Sequence, residues 1–533
     1  MTARSGVRSC RCVLTWVVAW CLVLCAAPPA LAADPGKATR NFYRVRLTTQ
    51  AEYSRVLTED VLVVLAKPRE YVDIVAPESV VAVLRSAGLR VDLVQADIEG
   101  VVKRMRSRPG MGGYHTYSEM ETELDELAAR HPDLVSVTAI GDSWETQNGL
   151  ADRKILAVKV CRGVDRRPDL RPEVLYFAGI HSREIATTEL LLAFIRYLVQ
   201  RAGRDRTVDL LLDRRQLWFV PLLNPDGREF SMQTDMWWRK NRRRIGSGGA
   251  IGVDLNRNFG YRWGDDQAES GSSGDPGSAV YRGERPFSEP ETQAFRAFVT
   301  RHRFVASLSY HSYGQYLIYP YGTAARQPED RLVYEELARE LTRTNRYRFG
   351  NVKGTVGYAS TGRHDDWLYG ERHEKNRIIA LELEIGRTFF PEEAELARLA
   401  DDVLHANLTI ARSAGADPGL TWQVATGTRS LSVSLRNRGL LPARSVALSL
   451  EGGASHRVVG GVRKVPTLDG LLDRKQGSDR ATFVFSLEPV VPEAGRAVVD
   501  PDAGPMGAGA RLSLSYRDGE PVTVEFPIDI SSD

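Results

Sequence analysis

The chain has 533 residues, 26% charged and 43% hydrophobic, with a formal net charge of +3. That length exceeds a single hydrophobic core and points to two to four domains, and the balance of charged and apolar residues excludes a disordered chain. So small a net charge excludes wholesale attraction to nucleic acid or to an acidic membrane.

Residues 1–32 read as a secretory signal peptide. Arg4, Arg8 and Arg11 precede the apolar stretch Val13 to Ala27, and Ala30-Leu31-Ala32 supplies a small-x-small cleavage site. The segment is too short and too weakly flanked for a membrane anchor, so a secreted mature chain without a membrane span is expected. Cleavage would remove Cys10, Cys12, Cys21 and Cys25, leaving only Cys161 and no possible intramolecular disulfide. Lys+Arg would fall from 71 to 68 against 68 Asp+Glu, a net charge near zero. Cys161 lies on a predicted strand and reads as a buried small hydrophobe.

Residues 33–108 read as a small α/β open sandwich with a basic linker. Residues 42–47, 71–75 and 90–94 alternate as strands, and 78–87 has helical spacing ending at Gly88. The basic, glycine-containing segment Lys103 to Gly113 is expected to be an exposed tether open to a trypsin-like protease.

Residues 109–416 alternate helices (118–129, 187–200, 289–300) with short apolar strands (154–160, 174–180, 217–220, 305–310, 378–381). This is an α/β pattern, a mixed, largely parallel twisted sheet flanked by helices. Sites on such sheets gather at the carboxyl ends of strands, and His181 and His311 each come immediately after one. In residues 417–533 the period becomes two, which predicts a β-sandwich without a cluster of His, Cys or paired acids.

The chemistry is carried first by His181-Ser182-Arg183-Glu184, an imidazole and a carboxylate three residues apart at the end of an apolar run. One short segment can thereby hold two corners of a metal tetrahedron and leave the others free. The best third ligand is His311, whereas His115, His131 and His302 sit in poorer contexts.

Seven motifs then converge. They are Tyr114-His-Thr-Tyr117, Gly179-Ile-His-Ser-Arg-Glu184, Pro221-Leu-Leu-Asn-Pro-Asp-Gly227, Trp238-Arg-Lys240, Gly252-Val-Asp-Leu-Asn-Arg-Asn258, Tyr310-His-Ser-Tyr313, and Tyr358-Ala-Ser-Thr-Gly362 with Asp366-Trp367. In order and rough spacing the block resembles the secreted zinc carboxypeptidases of the funnelin type, those related to pancreatic carboxypeptidases A and B (peptidase M14). The resemblance implies one zinc ion on His181, Glu184 and His311, with Arg239 facing the scissile carbonyl oxygen. It implies that Asn256, Arg257 and Tyr358 grip the substrate's terminal carboxylate, with Arg183 a secondary contact; a guanidinium fork beside a neutral amide suits that role. The general base is implied at Glu384, with Glu382, two residues earlier on the same strand face, as the alternative. Asp365 matches the position that tunes the pocket for the terminal side chain, and an acid there implies Lys or Arg. Residues 41–98 also resemble the family's activation domain, which implies a zymogen released by a trypsin-like protease.

The expected activity is hydrolysis of the C-terminal bond of peptides by zinc-activated water with a Glu base. Three other readings stay open: a cell-wall peptide carboxypeptidase, a zinc-dependent N-acyl amino acid deacylase, and an inactive peptide-binding module.

Overall fold

The computed structural model describes residues 39–528 apart from 68, 108–111, 266–270, 324–325, 426–429, 452–455, 460–461, 475–477, 490–509 and 519. The signal-peptide reading of residues 1–32 lies outside these, as does part of the basic linker. Among the described residues no helix is long and apolar enough to cross a membrane.

The N-terminal sheet has four strands, β1 (Arg40–Arg46), β2 (Leu62–Lys67), β3 (Tyr71–Pro77) and β4 (Val91–Gln95), in the order β2-β3-β1-β4. Strand alternation divides its residues between two cores. Tyr43, Val45, Val72 and Ile74 pack under the sheet's own helices, whereas Phe42, Val64 and Val75 face the other way and join the large central core. Sequence reading had missed β2, although Val61-Leu-Val-Val-Leu-Ala66 is an apolar run. The first part of the expected tether is also not a tether. Ile98, Val101, Val102 and Met105 fall at helical spacing, and they bury one face of the helix Ile98–Arg106 in the central core.

The central sheet has eight strands: β5 (Val135–Asp142), β6 (Lys154–Val160), β7 (Glu173–Phe177), β8 (Gln216–Val220), β11 (Phe304–Ser312), β12 (Tyr316–Ile318), β13 (Arg348–Gly350) and β14 (Ile379–Ile385). A separate two-stranded ribbon, β9 (Arg244–Ile245) and β10 (Ala250–Ile251), lies between β8 and β11 in the chain. The order across the sheet is β13-β12-β14-β11-β7-β8-β6-β5, with β14, β11, β7 and β8 mutually parallel at its centre. Buried on both faces, β7 and β8 read as nearly continuous apolar runs, whereas β11 and β14 interleave Ser, His and Glu with their apolar residues. Helices Ala186–Arg201 and Glu393–Ser413 cover one face, and helix Pro290–Thr300 packs on the other.

Helix Tyr117–Arg130 is pinned at its start by charge. His115 places Nδ1 2.6 Å from Glu189 and Nε2 2.8 Å from Glu123, and those acids also take Arg228 and Arg196. The two carboxylates outweigh partial burial and push the His115 pKa up to about 9. A histidine raised on folding stabilises fully below its unfolded value near 6.5, and that contribution is lost as pH rises through about 9. Relative to His115→Gln, urea unfolding should show an advantage of about 2 kcal/mol at pH 6 that vanishes above pH 9.5. A pH-independent difference would mean that the imidazole acts only by packing.

C-terminal to the central sheet, β15 (Pro418–Ala425), β16 (Ser430–Asn437), β17 (Ala443–Glu451), β18 (His456–Val459), β19 (Val462–Leu468), β20 (Arg480–Pro489), β21 (Ala510–Asp518) and β22 (Glu520–Ile528) form two antiparallel sheets. Their orders are β15-β16-β20-β18 and β19-β17-β21-β22, and the sheets pack face to face. Leu431, Val433 and Leu435 from one meet Val446, Leu448, Leu450 and Leu514 from the other. Arg436 and Arg474 reach Glu336 of helix Arg331–Leu341 at 2.7 and 3.1 Å. Cys161 is buried and unpaired.

Candidate metal centre and catalytic cleft

The site forms where the parallel strands end. β7 stops at Phe177, and the chain turns through Gly179, whose φ is +64° and whose added Cβ would lie 2.6 Å from Leu222. Only glycine fits that turn. It delivers His181 and Glu184 into the cleft before helix Ala186–Arg201 begins. His311 comes from the parallel neighbour; it is the penultimate residue of β11 rather than the first of a loop. Ser182 ties this loop to the next segment, donating to the Trp238 carbonyl at 2.8 Å, so Arg239 is carried to the same place.

Three buried ligand groups converge. His181 Nδ1 lies 2.8 Å from Glu184 Oε1, His311 Nδ1 lies 3.1 Å from Glu184 Oε2, and the two Nδ1 atoms are 3.2 Å apart. Four-coordinate zinc with bonds of about 2.0–2.1 Å has ligand–ligand edges of about 3.3 Å, so the set fits zinc. Each imidazole has a carboxylate on its far side, 3.3 Å from His181 Nε2 to Asp254 and 3.5 Å from His311 Nε2 to Glu382. Such partners favour the tautomer that keeps the Nδ1 lone pair for a metal. Burial works to raise the Glu184 carboxyl, but His181 and His311 prevail and hold it below the usual range. A second convergent set, His311, His364 and Glu382, shares His311. There Glu382 Oε2 already accepts from Arg363 at 2.7 Å, which puts a fixed guanidinium beside any cation.

Asp254, assigned no role from sequence although it stands inside the quoted Gly252–Asn258 motif, is the hub of the positive side. Wholly buried, it holds Arg239 through two contacts of 3.0 Å, accepts from the Asn256 amide at 3.0 Å and lies 3.9 Å from Arg257. Burial would raise its carboxyl; the two guanidiniums hold it well below the carboxylate range. Arg257 is steadied by its Nε–H to the Gly271 carbonyl at 2.8 Å. Tyr358 is half-buried against Tyr316 and Val356, within the electrostatic reach of Arg257, Glu384 and Arg239. Arg183 lies over the Phe389 ring at 4.5 Å and borders the same cleft as Arg239.

The two glutamates of β14 share a face but have different surroundings. Glu382 is buried and accepts from Arg363 at 2.7 Å and His364 at 3.0 Å. Glu384 stands opposite His311 in the β11–β14 register, is half-buried, and accepts no hydrogen bond among the described residues. Burial, reinforced by Glu382, raises its carboxyl well above the ordinary value. Asp365, expected to tune the pocket for a terminal Lys or Arg, is paired: Arg363, two residues earlier, donates to its two oxygens at 2.8 and 3.2 Å.

The N-terminal sheet leans on this cleft. Leu62, Val63 and Val64 of β2 close a cavity of about 320 Å³ against Arg183, Trp237, Trp238 and Arg239. Asp73, wholly buried, binds Arg44 at 2.7 Å and accepts from the Tyr313 hydroxyl at 2.6 Å. Lys67 Nζ donates to the Thr355 carbonyl, three residues before Tyr358.

Comparison with known proteins agrees with this geometry. The chain is 31% identical over 304 residues to carboxypeptidase A1 of Rattus norvegicus, covering 56% of this chain and 69% of that one. It is likewise 31% identical over 328 residues to carboxypeptidase A5 of Macaca fascicularis, covering 57% and 72%. In fold it is similar to crystal structures of thrombin activatable fibrinolysis inhibitor (TM-score 0.61, 23% identity, 70% of this chain and 98% of that one) and of carboxypeptidase A from Helicoverpa armigera (TM-score 0.58, 23% identity, 71% and 98%). Residues 120–406, more than half of the chain and including the three convergent ligand residues, match the family model described as zinc carboxypeptidase, and the chain belongs to that family.

Proposed function

We propose that this zinc carboxypeptidase is a secreted exopeptidase, made as a zymogen, that removes single residues from peptide C-termini with Glu384 as general base. His181, Glu184 and His311 would hold the zinc ion, which when bound supplies Lewis acidity toward water and the scissile carbonyl. Glu384 takes the proton of the attacking water and returns it to the leaving nitrogen, a task suited to a carboxyl whose proton affinity is raised by burial and by Glu382. Arg239, oriented by Asp254, faces the oxygen on which negative charge develops. Arg257 and Asn256, with Tyr358 beside them, receive the terminal carboxylate and set the register that makes cleavage terminal.

The observation that carries this reading is the sequestration of Glu382. Of two acids on one strand face, Arg363 and His364 occupy one and the other is left for proton transfer. The zymogen reading is supported by β2 and β3 over the cleft rim. Secretion is supported by the sequence of residues 1–32. The pairing of the Asp365 carboxylate with Arg363 argues against a preference for Lys or Arg.

Trypsin-treated protein, with the trypsin then inactivated, should release the terminal amino acid from blocked dipeptides with a free carboxylate but not from their C-terminal amides. A zinc chelator should abolish the activity, added zinc should restore it, and untreated protein should be much slower. Equal cleavage of the amides would sink the carboxylate-grip assignment, and undiminished activity before treatment would sink the zymogen.

A further inference from the structure

Arg363 is 3% exposed, and its guanidinium lies between the two acids that would draw a basic side chain. Nε and one terminal nitrogen donate to the oxygens of Asp365, and that same terminal nitrogen donates to Glu382. The other terminal nitrogen donates to Ser360 Oγ at 3.2 Å. Every member of this group is buried.

The group adjoins the residues that would hold a substrate's terminal carboxylate. Glu382 precedes Glu384 by two residues, so the two acids share one face of β14. The His364 amide donates to Asn256 Oδ1 at 3.1 Å. Gly362 packs so tightly on Arg257 that an added Cβ would sit 2.3 Å from the Arg257 carbonyl oxygen. A residue whose carboxylate is held by Arg257 and Asn256, and whose amide faces the metal ligands, therefore turns its side chain toward the Arg363 wall.

We infer that Arg363 is a specificity-determining residue. It supplies from within the chain the guanidinium that Asp365 and Glu382 would otherwise accept from a substrate, so the pocket takes a neutral C-terminal side chain in preference to Lys or Arg. This rests on the carboxypeptidase reading above. A substrate guanidinium would have to share oxygens already bonded and approach Arg363 closely among buried side chains, where like charges repel strongly. The remaining charge of the group is drawn toward the metal side, since Glu382 Oε2 also faces His364 at 3.0 Å and His311 at 3.5 Å. The two acids also disfavour a terminal Asp or Glu.

The test is kcat/KM on matched blocked dipeptides ending in Phe, Leu and Arg, using activated, zinc-loaded protein. Phe or Leu should exceed Arg by about tenfold or more. The double variant Arg363→Gln/Glu382→Gln keeps the net charge and leaves Asp365 unpaired; it should move the Arg:Phe ratio toward Arg by about tenfold, with thermal midpoint and zinc content reporting that it folds. A wild-type preference for Arg overturns the inference and leaves the carboxypeptidase reading standing, as does a ratio unmoved in the folded double variant. If the variant does not fold, the wild-type ratio decides alone. Absence of chelator-sensitive release of any residue overturns the carboxypeptidase reading, and this inference falls with it.

Discussion

Glu384→Gln should lower kcat about 10³-fold while leaving about one zinc per chain and KM within a few-fold of wild type. The side chain is nearly isosteric, and Glu384 accepts no hydrogen bond among the described residues, so the substitution breaks none that the structure records. What it removes is a proton acceptor beside His311 whose pKa is raised by burial and by Glu382. A general base of that kind contributes roughly 10²–10⁴ in rate. Zinc content and unfolding midpoint should be read on the same preparation. A kcat within tenfold of wild type, with zinc in place, would remove Glu384 from the role of base.

Arg239→Lys should lower kcat about 10²-fold with a smaller effect on KM, because loss of one preorganised oxyanion donor costs about 10²–10³. The arginine is placed by its two contacts with Asp254, a geometry that a fork can make and a flexible ammonium cannot reproduce. Lysine retains the charge, which avoids leaving buried Asp254 facing a neutral side chain, a change that would cost about 3–5 kcal/mol. Steady-state kinetics with a range of substrate concentrations separates the outcomes. A rise in KM with kcat unchanged would make Arg239 a ground-state binder instead of a stabiliser of developing charge.

Much of the site was legible because its residues lie in short ordered motifs. His181 and Glu184 share one turn, and His311 lies near the end of a strand-like stretch, so all three could be picked out as candidate ligands. The partners that distinguish neighbouring residues were not legible. Glu382 and Glu384 have the same alternation, and no local rule says that Arg363 folds back onto one of them. Asp254 looks like one polar residue in a polar turn until Arg239 and His181, 15 and 73 positions away in the chain, meet it. β2 escaped notice as well, and its apolar residues acquire meaning only as the edge that closes over Arg183 and Arg239.

The sequence by itself determined the family, the α/β class and the candidate metal-ligating set, whose three members the fold brings together. These depend on hydrophobic periodicity and on residue types at fixed short spacing, which survive without knowledge of contacts. Tertiary structure decided which glutamate is left unpaired, which acid is already neutralised and what lies across the cleft. Those outcomes depend on which charges become neighbours after burial. In a low-dielectric interior a single guanidinium at 2.7 Å changes a carboxylate from a candidate base into a committed ion-pair partner.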